Sequence, residues 1–510
     1  MSSDLAPKSN GAKANDRAKN IVKGMGWLTL QNLGTNVLGF VFLATLLRLL
    51  PAAEYGIYSA VLLVAGIAIN FACFGLNLSA ARYIALLREQ DEQASWIAAR
   101  KILYVSILFT SAVTAVYLGI SPFLSIYFTK SPSWTFIFLL GGAYLFLGSI
   151  SNISSGIIQG LKKYKQLAKI LTVSRVVMVG FSIAVLEFVD RSVTFAIVAW
   201  LIYFVITITW MLIIINRNIL RARGSFGYSN LLRYTFPLGI ASIIATFSSN
   251  ADQVIVGGYL TPVSLGVYNA AITISGALGL VFLTPLTTAF LPEASSSSSE
   301  QGNISNGLRI ALRFVTLGVL PASLFVCGIS LQLLSLFSGG GSYLAGVDPL
   351  ELISSFYVFL AIQTVILVLL QAVGKTFHVM LVGVVAASTD ICVALLLVPN
   401  LGIAGAALSK VSVALMGMFV ALYLARRYLK GLDSPQFYFK GALCAAIPFA
   451  TILILSNFVS ARVVTLAPYS ILYAVLFLLC VKTSKLLSKE DRAFLALILP
   501  SPIKRLVDYI

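Results

Sequence analysis

The chain has 510 residues, of which 59% are hydrophobic and only 11% charged, and its mean hydropathy is +0.94. A soluble globular domain carries about 25% charged residues, so a water-soluble domain is excluded and a bilayer is the fitting solvent. Lys and Arg outnumber Asp and Glu by 36 to 18, but these cations are scattered between apolar runs rather than gathered on one solvated face, which excludes a nucleic-acid binder.

From the N-terminus, a polar basic tail over residues 1–25 precedes an apolar run near 27–49. That run is long enough to cross about 30 Å of hydrocarbon as helix, so it predicts an uncleaved anchor and not a cleaved signal peptide. It carries a polar patch, Gln31, Asn32, Thr35 and Asn36, in its cytoplasmic half, and Arg48 near its outer end. Further spanning runs fall near 57–86, 99–120, 134–159, 167–187 and 193–215, and the fifth run of the chain holds Arg175 near mid-membrane with no acidic neighbour in sequence.

After a linker at 217–233, runs near 234–258, 266–291, 308–330, 351–373, 378–398 and 403–426 follow, and two more near 441–460 and 467–484 bring the expected count to fourteen. The seventh run opens near Pro237, which reads either as a hinge or as a proline tolerated in a helix's first turn. The same run contains Ser248, Ser249, Asn250 and Asp252, a polar patch that wants water, an ion or protein partners because lipid offers none. Asp390 in the eleventh run and Lys410 in the twelfth lie at similar depth on adjacent antiparallel helices. They read as a structural ion pair or as part of a hydrated or ion-coupling site. Ionisable residues inside apolar runs are costly, which makes Arg175, Asp252, Asp390 and Lys410 functional candidates.

Most Lys and Arg fall on one side if the N-terminus is cytoplasmic; only Arg48, Lys130, Arg191 and Arg462 fall outside, which predicts cytoplasmic termini. The loops are short. Glu293 to Gly307, with Ser295 to Ser299 in a row, reads as a flexible linker, and the longest external connection, Leu331 to Leu350, as a turn. Neither clustered carboxylates nor a large loop for an enzyme of glycan assembly is visible, so no catalytic activity is expected. The five cysteines have no close pairing in sequence and His378 is alone, so no disulfide framework, metal site or cofactor is expected.

An internal repeat organises the chain. Leu50 to Ala60 reads LPAAEYGIYSA and, 210 residues later, Leu260 to Ala270 reads LTPVSLGVYNA, aligning Gly56 with Gly266 and Tyr58 with Tyr268. Gln159 to Lys163 and Gln371 to Lys375 match in nearly the same frame. The expected organisation is therefore a tail at 1–25, a six-helix bundle at 26–216, the linker at 217–233, a second six-helix bundle at 234–427, two added helices within 428–487 and a tail at 488–510.

Several stretches then carry a family resemblance over nearly the whole chain: EYGIY at Glu54 to Tyr58, ADQVIVGGYL at Ala251 to Leu260, LGVYNAA at Leu265 to Ala271, Gln371 to Lys375, and PNLGIAGAA at Pro399 to Ala407. The chain resembles the polysaccharide-exporter branch, the O-antigen-type flippases, of the multidrug/oligosaccharidyl-lipid/polysaccharide (MOP) transporter superfamily. The resemblance implies an all-α polytopic membrane protein, with two six-helix bundles packed as a V around a central cavity and two C-terminal helices. It also implies cargo of oligosaccharide on a polyprenyl phosphate or diphosphate, moved from the cytoplasmic to the outer leaflet of the cell membrane by alternating access. Arg175, Arg48 and Lys410 are the cations that could hold the phosphate, although Arg48 could equally snorkel to the interface. Asp252, Asp390, Asn250, Gln31, Asn32 and Asn36 would line the cavity or couple an ion. Expected partners are membrane lipids, a coupling ion (H+ or Na+) and other glycan-assembly membrane proteins. The alternatives are an ion-coupled drug or metabolite antiporter of the same superfamily and a non-transporting scaffold.

Overall fold

The computed structural model describes residues 9–221, 228–287, 301–426, 433–458, 463–484 and 486, with side chains described throughout these except at 9–25, 216–221, 228–230, 232 and 301–306. Every regular element among the described residues is helical, as the long apolar runs require, because a lone helix satisfies its own backbone in hydrocarbon. Eleven helices are long and apolar enough to cross a membrane, or twelve if the bent pair Gly341–Ser355 and Tyr357–Ala372 forms one span. Fourteen were expected. The eleventh and twelfth expected runs lie in one 50-residue helical stretch, Thr376–Ala425. If straight it would extend about 75 Å, but Gly402 breaks it with φ 60° and ψ −138°, a conformation that glycine alone adopts without strain. The helix Tyr228–Tyr259, made polar by its Ser248 to Asp252 stretch, is not among the eleven.

The chain divides into two compact units, Met1–Thr246 and Phe247–Ile510. The first holds α1 (Ser9–Leu49), α2 (Ala52–Cys73), α3 (Leu76–Gln90), α4 (Glu92–Thr129), α5 (Thr135–Gly160), α6 (Tyr164–Phe188), α7 (Val193–Arg221) and the first part of α8 (Tyr228–Tyr259). α5 is its central element, packed on α2, α3, α4 and α7, while α6 packs on α1 and α7. The close approach depends on missing side chains: a Cβ at Gly148 would meet Ile69 and Phe204, and one at Gly156 would run into the backbone of Asn77. Small residues let membrane helices approach closely where no hydrophobic force drives them together.

The expected run at 57–86 is interrupted at Phe74 and Gly75, both left-handed with φ 40° and 74°. The Phe74 ring meets Phe109 and Phe236 edge-on, and a Cβ on Gly239 would strike that ring. The buried hydroxyl of Thr235 donates to Ser79 Oγ at 2.8 Å. These contacts order α8 upstream of its apolar run, so Pro237 lies in the helix interior, corrected from the first-turn position that the sequence also allowed.

The second unit continues with α9 (Pro262–Leu278) and two π turns, Gly279–Leu283 and Val315–Val319, the latter interrupting the expected ninth run. The tenth run is broken at Phe356. The Leu331 to Leu350 connection is more built than a turn: it contains the helix Ser330–Ser338, three left-handed glycines and a 3-10 segment Gly341–Gly346. Leu283, Leu308, Val315, Val319, Val365 and Leu369 form one core, and Ile329, Ile452, Tyr469 and Tyr473 another, where Tyr473 donates to Pro321 O at 2.7 Å. Ser295 to Ser299, the tail at 488–510 and part of the 217–233 linker lie outside the described residues, and from Gln301 the chain is already helical.

Gly156→Ala should lower the unfolding free energy of the detergent-solubilised protein by about 1–3 kcal/mol, the usual cost of overpacking. Gly180→Ala, where a Cβ meets nothing, should be neutral or stabilising. Thermal or denaturant unfolding of both variants checks the contrast.

Candidate functional site

Each unit holds ionisable side chains within its membrane helices. In the second, Asp252 on α8 and Asp390 on the broken helix are both fully buried. Lys410, on the far side of the Gly402 break, places Nζ 2.8 Å from Asp252 Oδ1 and 3.5 Å from Asp390 Oδ2, and donates to Ser249 O at 2.9 Å. Ser409 Oγ donates to Asp390 Oδ1 at 2.5 Å, and the Asp252 backbone N–H donates to Asp390 Oδ2 at 3.3 Å. Tyr268 of α9, fully buried, lies with its hydroxyl 2.5 Å from Asp252 Oδ2 and 3.1 Å from Ala406 O. The break at Gly402 folds the helix back so that Asp390 and Lys410 meet, and α8 brings Asp252 to the same ammonium. Asp252, expected to line the cavity or couple an ion, lies in this ionic cluster.

Beside it lies a cavity of about 330 Å³ bordered by Ser248, Ser249, Ser275, Tyr357, Gln363 and Lys410. Gln363 Oε1 is buried there without a partner. Asn250, half-buried, accepts from Gln253 Nε2 at 3.5 Å, and Gln253 Oε1 accepts from Asn269 at 2.9 Å. That chain of amides runs along the α8–α9 pair apart from the ionic cluster.

In the first unit, Arg175 of α6 stacks on Trp200 at 4.4 Å and on Phe42 at 5.9 Å, an arrangement suited to a planar guanidinium. Trp200 Nε1 donates to the Tyr58 hydroxyl at 2.8 Å, and Tyr144 and Tyr203 stand edge-on to Trp200. Arg175 Nη1 lies 3.4 Å from Met178 Sδ, and its Nε is buried without a hydrogen-bond partner. Among the described residues no carboxylate pairs with it. Gly39 allows the guanidinium past α1, since a Cβ there would lie 3.3 Å from Arg175 Nη2.

The EYGIY motif explains part of this geometry. Glu54 Oε2 accepts the backbone N–H of Val193 at 2.9 Å, capping the first residue of α7, and so fixes the helix that carries Trp200. Tyr55 stacks on Tyr58. Nearer the start of α6, Lys163, Lys165 and Lys169 rest on Trp96, Trp27 and Trp210 of α4, α1 and α7. At the α5–α6 turn, burial and then Arg88 draw the Lys163 ammonium below the ordinary lysine range, against a smaller opposing effect of Glu92.

The other expected residues are not gathered at either cluster. Arg48 is exposed in the last turn of α1. On the same helix Thr35 donates to Gln31 O at 2.9 Å, Asn32 is exposed, and Asn36 is half-buried about one turn before Gly39. Sequence reasoning missed Tyr58, Trp200, Phe42, Ser409 and the role of Tyr268. The repeat register could have found most of them: Phe42, Tyr58 and Trp200 precede Asp252, Tyr268 and Lys410 by 210 positions each. Among the described residues no group of three or more His, Cys, Asp and Glu could hold a metal ion.

Two duplicated units of long apolar helices, each with ionisable side chains inside its helices, define a multi-pass membrane protein with the fold of MOP-superfamily transporters. The structure is similar to that of the lipid II flippase MurJ in its inward closed conformation, with a TM-score of 0.73 and 15% identity over 88% of this chain and 97% of that one. It is similar to a multidrug resistance MATE family transporter in the inward-facing conformation, with a TM-score of 0.68 and 14% identity over 79% of this chain and 98% of that one. It is also similar to the Vibrio cholerae MATE transporter VcmN, with a TM-score of 0.56 and 15% identity over 83% of this chain and 99% of that one. The family described as polysaccharide biosynthesis protein matches residues 21–298, more than half of the chain, and the protein belongs to that family. No curated protein matches the sequence.

Removing one member of a buried ion pair costs about 3–5 kcal/mol because the other charge is left unmatched. Lys410→Met should therefore destabilise strongly, and Asp390→Asn combined with it should recover part of the loss. Additive losses on thermal unfolding would mean that the two charges do not compensate each other.

Proposed function

We propose that the protein is a flippase that carries an oligosaccharide linked to a polyprenyl phosphate or diphosphate from the cytoplasmic to the outer leaflet, by alternating access and without covalent chemistry. The observation that carries this reading is Arg175: a guanidinium within a membrane span, held on aromatic rings, with a buried Nε lacking a partner and no carboxylate to neutralise it. Ionisable groups at such depth mark substrate or ion pathways, and a guanidinium offers two parallel donors to phosphate oxygens. Membership of a polysaccharide biosynthesis family supports a glycan-bearing cargo. A glycan crossing hydrocarbon unaided would leave each hydroxyl unpaired at a cost of several kcal/mol, which a polar path through the protein removes.

Lys410 is already shared by two carboxylates, so Arg175 carries phosphate recognition in this reading, and Arg48 serves the outer end of the path. Pro237, inside α8 with one backbone bond fewer, is the hinge candidate. The distribution of Lys and Arg supports cytoplasmic termini, and in this reading the protein works in the plasma membrane among other membrane proteins of glycan assembly. The second reading, an ion-coupled drug or metabolite antiporter, is favoured by the buried acidic cluster and the likeness to MATE transporters.

Liposomes loaded asymmetrically with a fluorescent polyprenyl-diphosphate oligosaccharide, probed by an external glycosidase, test this directly. Wild-type protein should expose the glycan, and Arg175→Ala should slow exposure about tenfold or more, as expected for losing a charge-assisted bond of about 1.5–3 kcal/mol. Normal flipping by the variant would remove Arg175 from the path. No flipping by wild type under any ion gradient would favour antiport.

A further inference from the structure

We propose that the Asp252–Asp390–Lys410 cluster is a proton-binding site, with one exchangeable proton on Asp252 shared with Tyr268. The inference stands independently of the cargo. Its first support is charge. Two carboxylates and one ammonium, with both carboxylates fully buried, leave one negative charge, which a buried site does not keep uncompensated. The lysine already occupies the space between the two acids, 2.8 Å and 3.5 Å away, so the compensating charge arrives as a proton on a carboxylate.

The second support is a hydrogen-bond count. The Tyr268 hydroxyl has one proton but two acceptors in reach, Asp252 Oδ2 at 2.5 Å and Ala406 O at 3.1 Å. Both contacts are satisfied together when Asp252 is protonated and donates to the Tyr268 oxygen, while the Tyr268 O–H donates to Ala406. When Asp252 loses its proton, Tyr268 turns its O–H to the carboxylate and releases the Ala406 carbonyl. No other covalent bond changes, and the proton leaves for water. Asp390 has its own donors, Ser409 Oγ at 2.5 Å to Oδ1 and the Asp252 N–H at 3.3 Å to Oδ2, and Lys410 lies nearer Asp252 Oδ1 than Asp390 Oδ2, so it is the Tyr268 contact that assigns the proton to Asp252.

The elements packed on α9 and on the broken helix bring Cys327, Tyr343, Asp348, Glu351 and Tyr357 to the neighbourhood. Glu351 accepts from Ser330 Oγ at 2.7 Å. Lys410 and Ser249 border both the cluster and the 330 Å³ cavity, which gives the proton a way out. Ala406 lies four residues beyond Gly402, so the proton's presence is felt next to the backbone break. The equivalent positions of the first unit, Phe42, Tyr58 and Trp200, hold no carboxylate, so the site belongs to the second unit alone.

Infrared spectra of the purified full-length protein in lipid nanodiscs at neutral pH test the assignment. The wild type should show the carbonyl band of a protonated carboxylic acid. Asp252→Asn and Asp390→Asn should each remove it, because either change leaves a balanced pair with Lys410. Tyr268→Phe should keep the band but shift it, since the acid loses its acceptor, and Ser409→Ala should leave its position unchanged. A wild-type spectrum without the band, or one in which Ser409→Ala shifts it and Tyr268→Phe does not, would overturn the proposal. So would thermal stabilisation of wild type by sodium ions together with loss of the band, since a metal cation would then supply the missing charge. The wild-type, Tyr268→Phe and Ser409→Ala spectra decide the matter even if a charge variant fails to fold.

Discussion

A charge placed in the apolar middle of a membrane helix has to be met by another helix, and this requirement organises both units. Arg175 is met by the rings of Trp200 and Phe42 from α7 and α1; Asp252 and Asp390 are met by Lys410. The two solutions share three repeat positions, although Arg175 and Asp390 have no charged counterpart at that offset. Phe42, Tyr58 and Trp200 in one unit stand 210 residues before Asp252, Tyr268 and Lys410 in the other. One framework, duplicated, has become an unneutralised cation in an aromatic surround and an acid-rich cluster around a lysine. The tyrosine common to both accounts for the recurrence of Tyr in the short repeated message: Tyr58 accepts from Trp200, and Tyr268 lies between Asp252 and Ala406.

Each cluster depends on a backbone feature some distance away. The Glu54 cap on Val193 fixes the start of α7, and α7 delivers Trp200 beneath Arg175. Gly402 reverses the broken helix, and without it Asp390 and Lys410, 20 positions apart, would lie about 30 Å from each other along one axis. The π turns at Gly279–Leu283 and Val315–Val319 and the bend at Phe356 occur in the unit that holds the cavity, and such irregularities are frequent where membrane helices serve function. In the proposed reading, the cation of one unit suits an anionic group on a cargo and the acidic cluster of the other suits a driving ion.

Much of this was legible in the residues. Apolar runs, the duplication and the short list of charges inside spans follow from composition and spacing, and the Asp390–Lys410 approach follows from depth on antiparallel helices. The breaks at Phe74 and Phe356 were not legible, because hydropathy averages over a run and does not register one residue off the helical conformation; the break at Gly402 falls between two expected runs. Asp252 was separated from its partner because 158 positions of chain lie between it and Lys410, and nothing local reports that contact. Trp200 and Phe42 were invisible for the opposite reason: an aromatic side chain in an apolar span looks the same whether it faces lipid or supports a guanidinium. Pro237 was placed too near a helix start because Leu231 and Thr235, buried against the first unit, extend α8 beyond its apolar portion.

The central claim is that an aromatic-held arginine in the membrane receives a lipid phosphate. Equilibrium binding of a polyprenyl diphosphate and of the uncharged polyprenol to the purified protein, each titrated against wild type and Arg175→Ala, tests it most directly. The account predicts that wild type binds the diphosphate more tightly than the polyprenol and that Arg175→Ala erases the difference. Equal preference in both proteins would contradict it and return the phosphate to another cation.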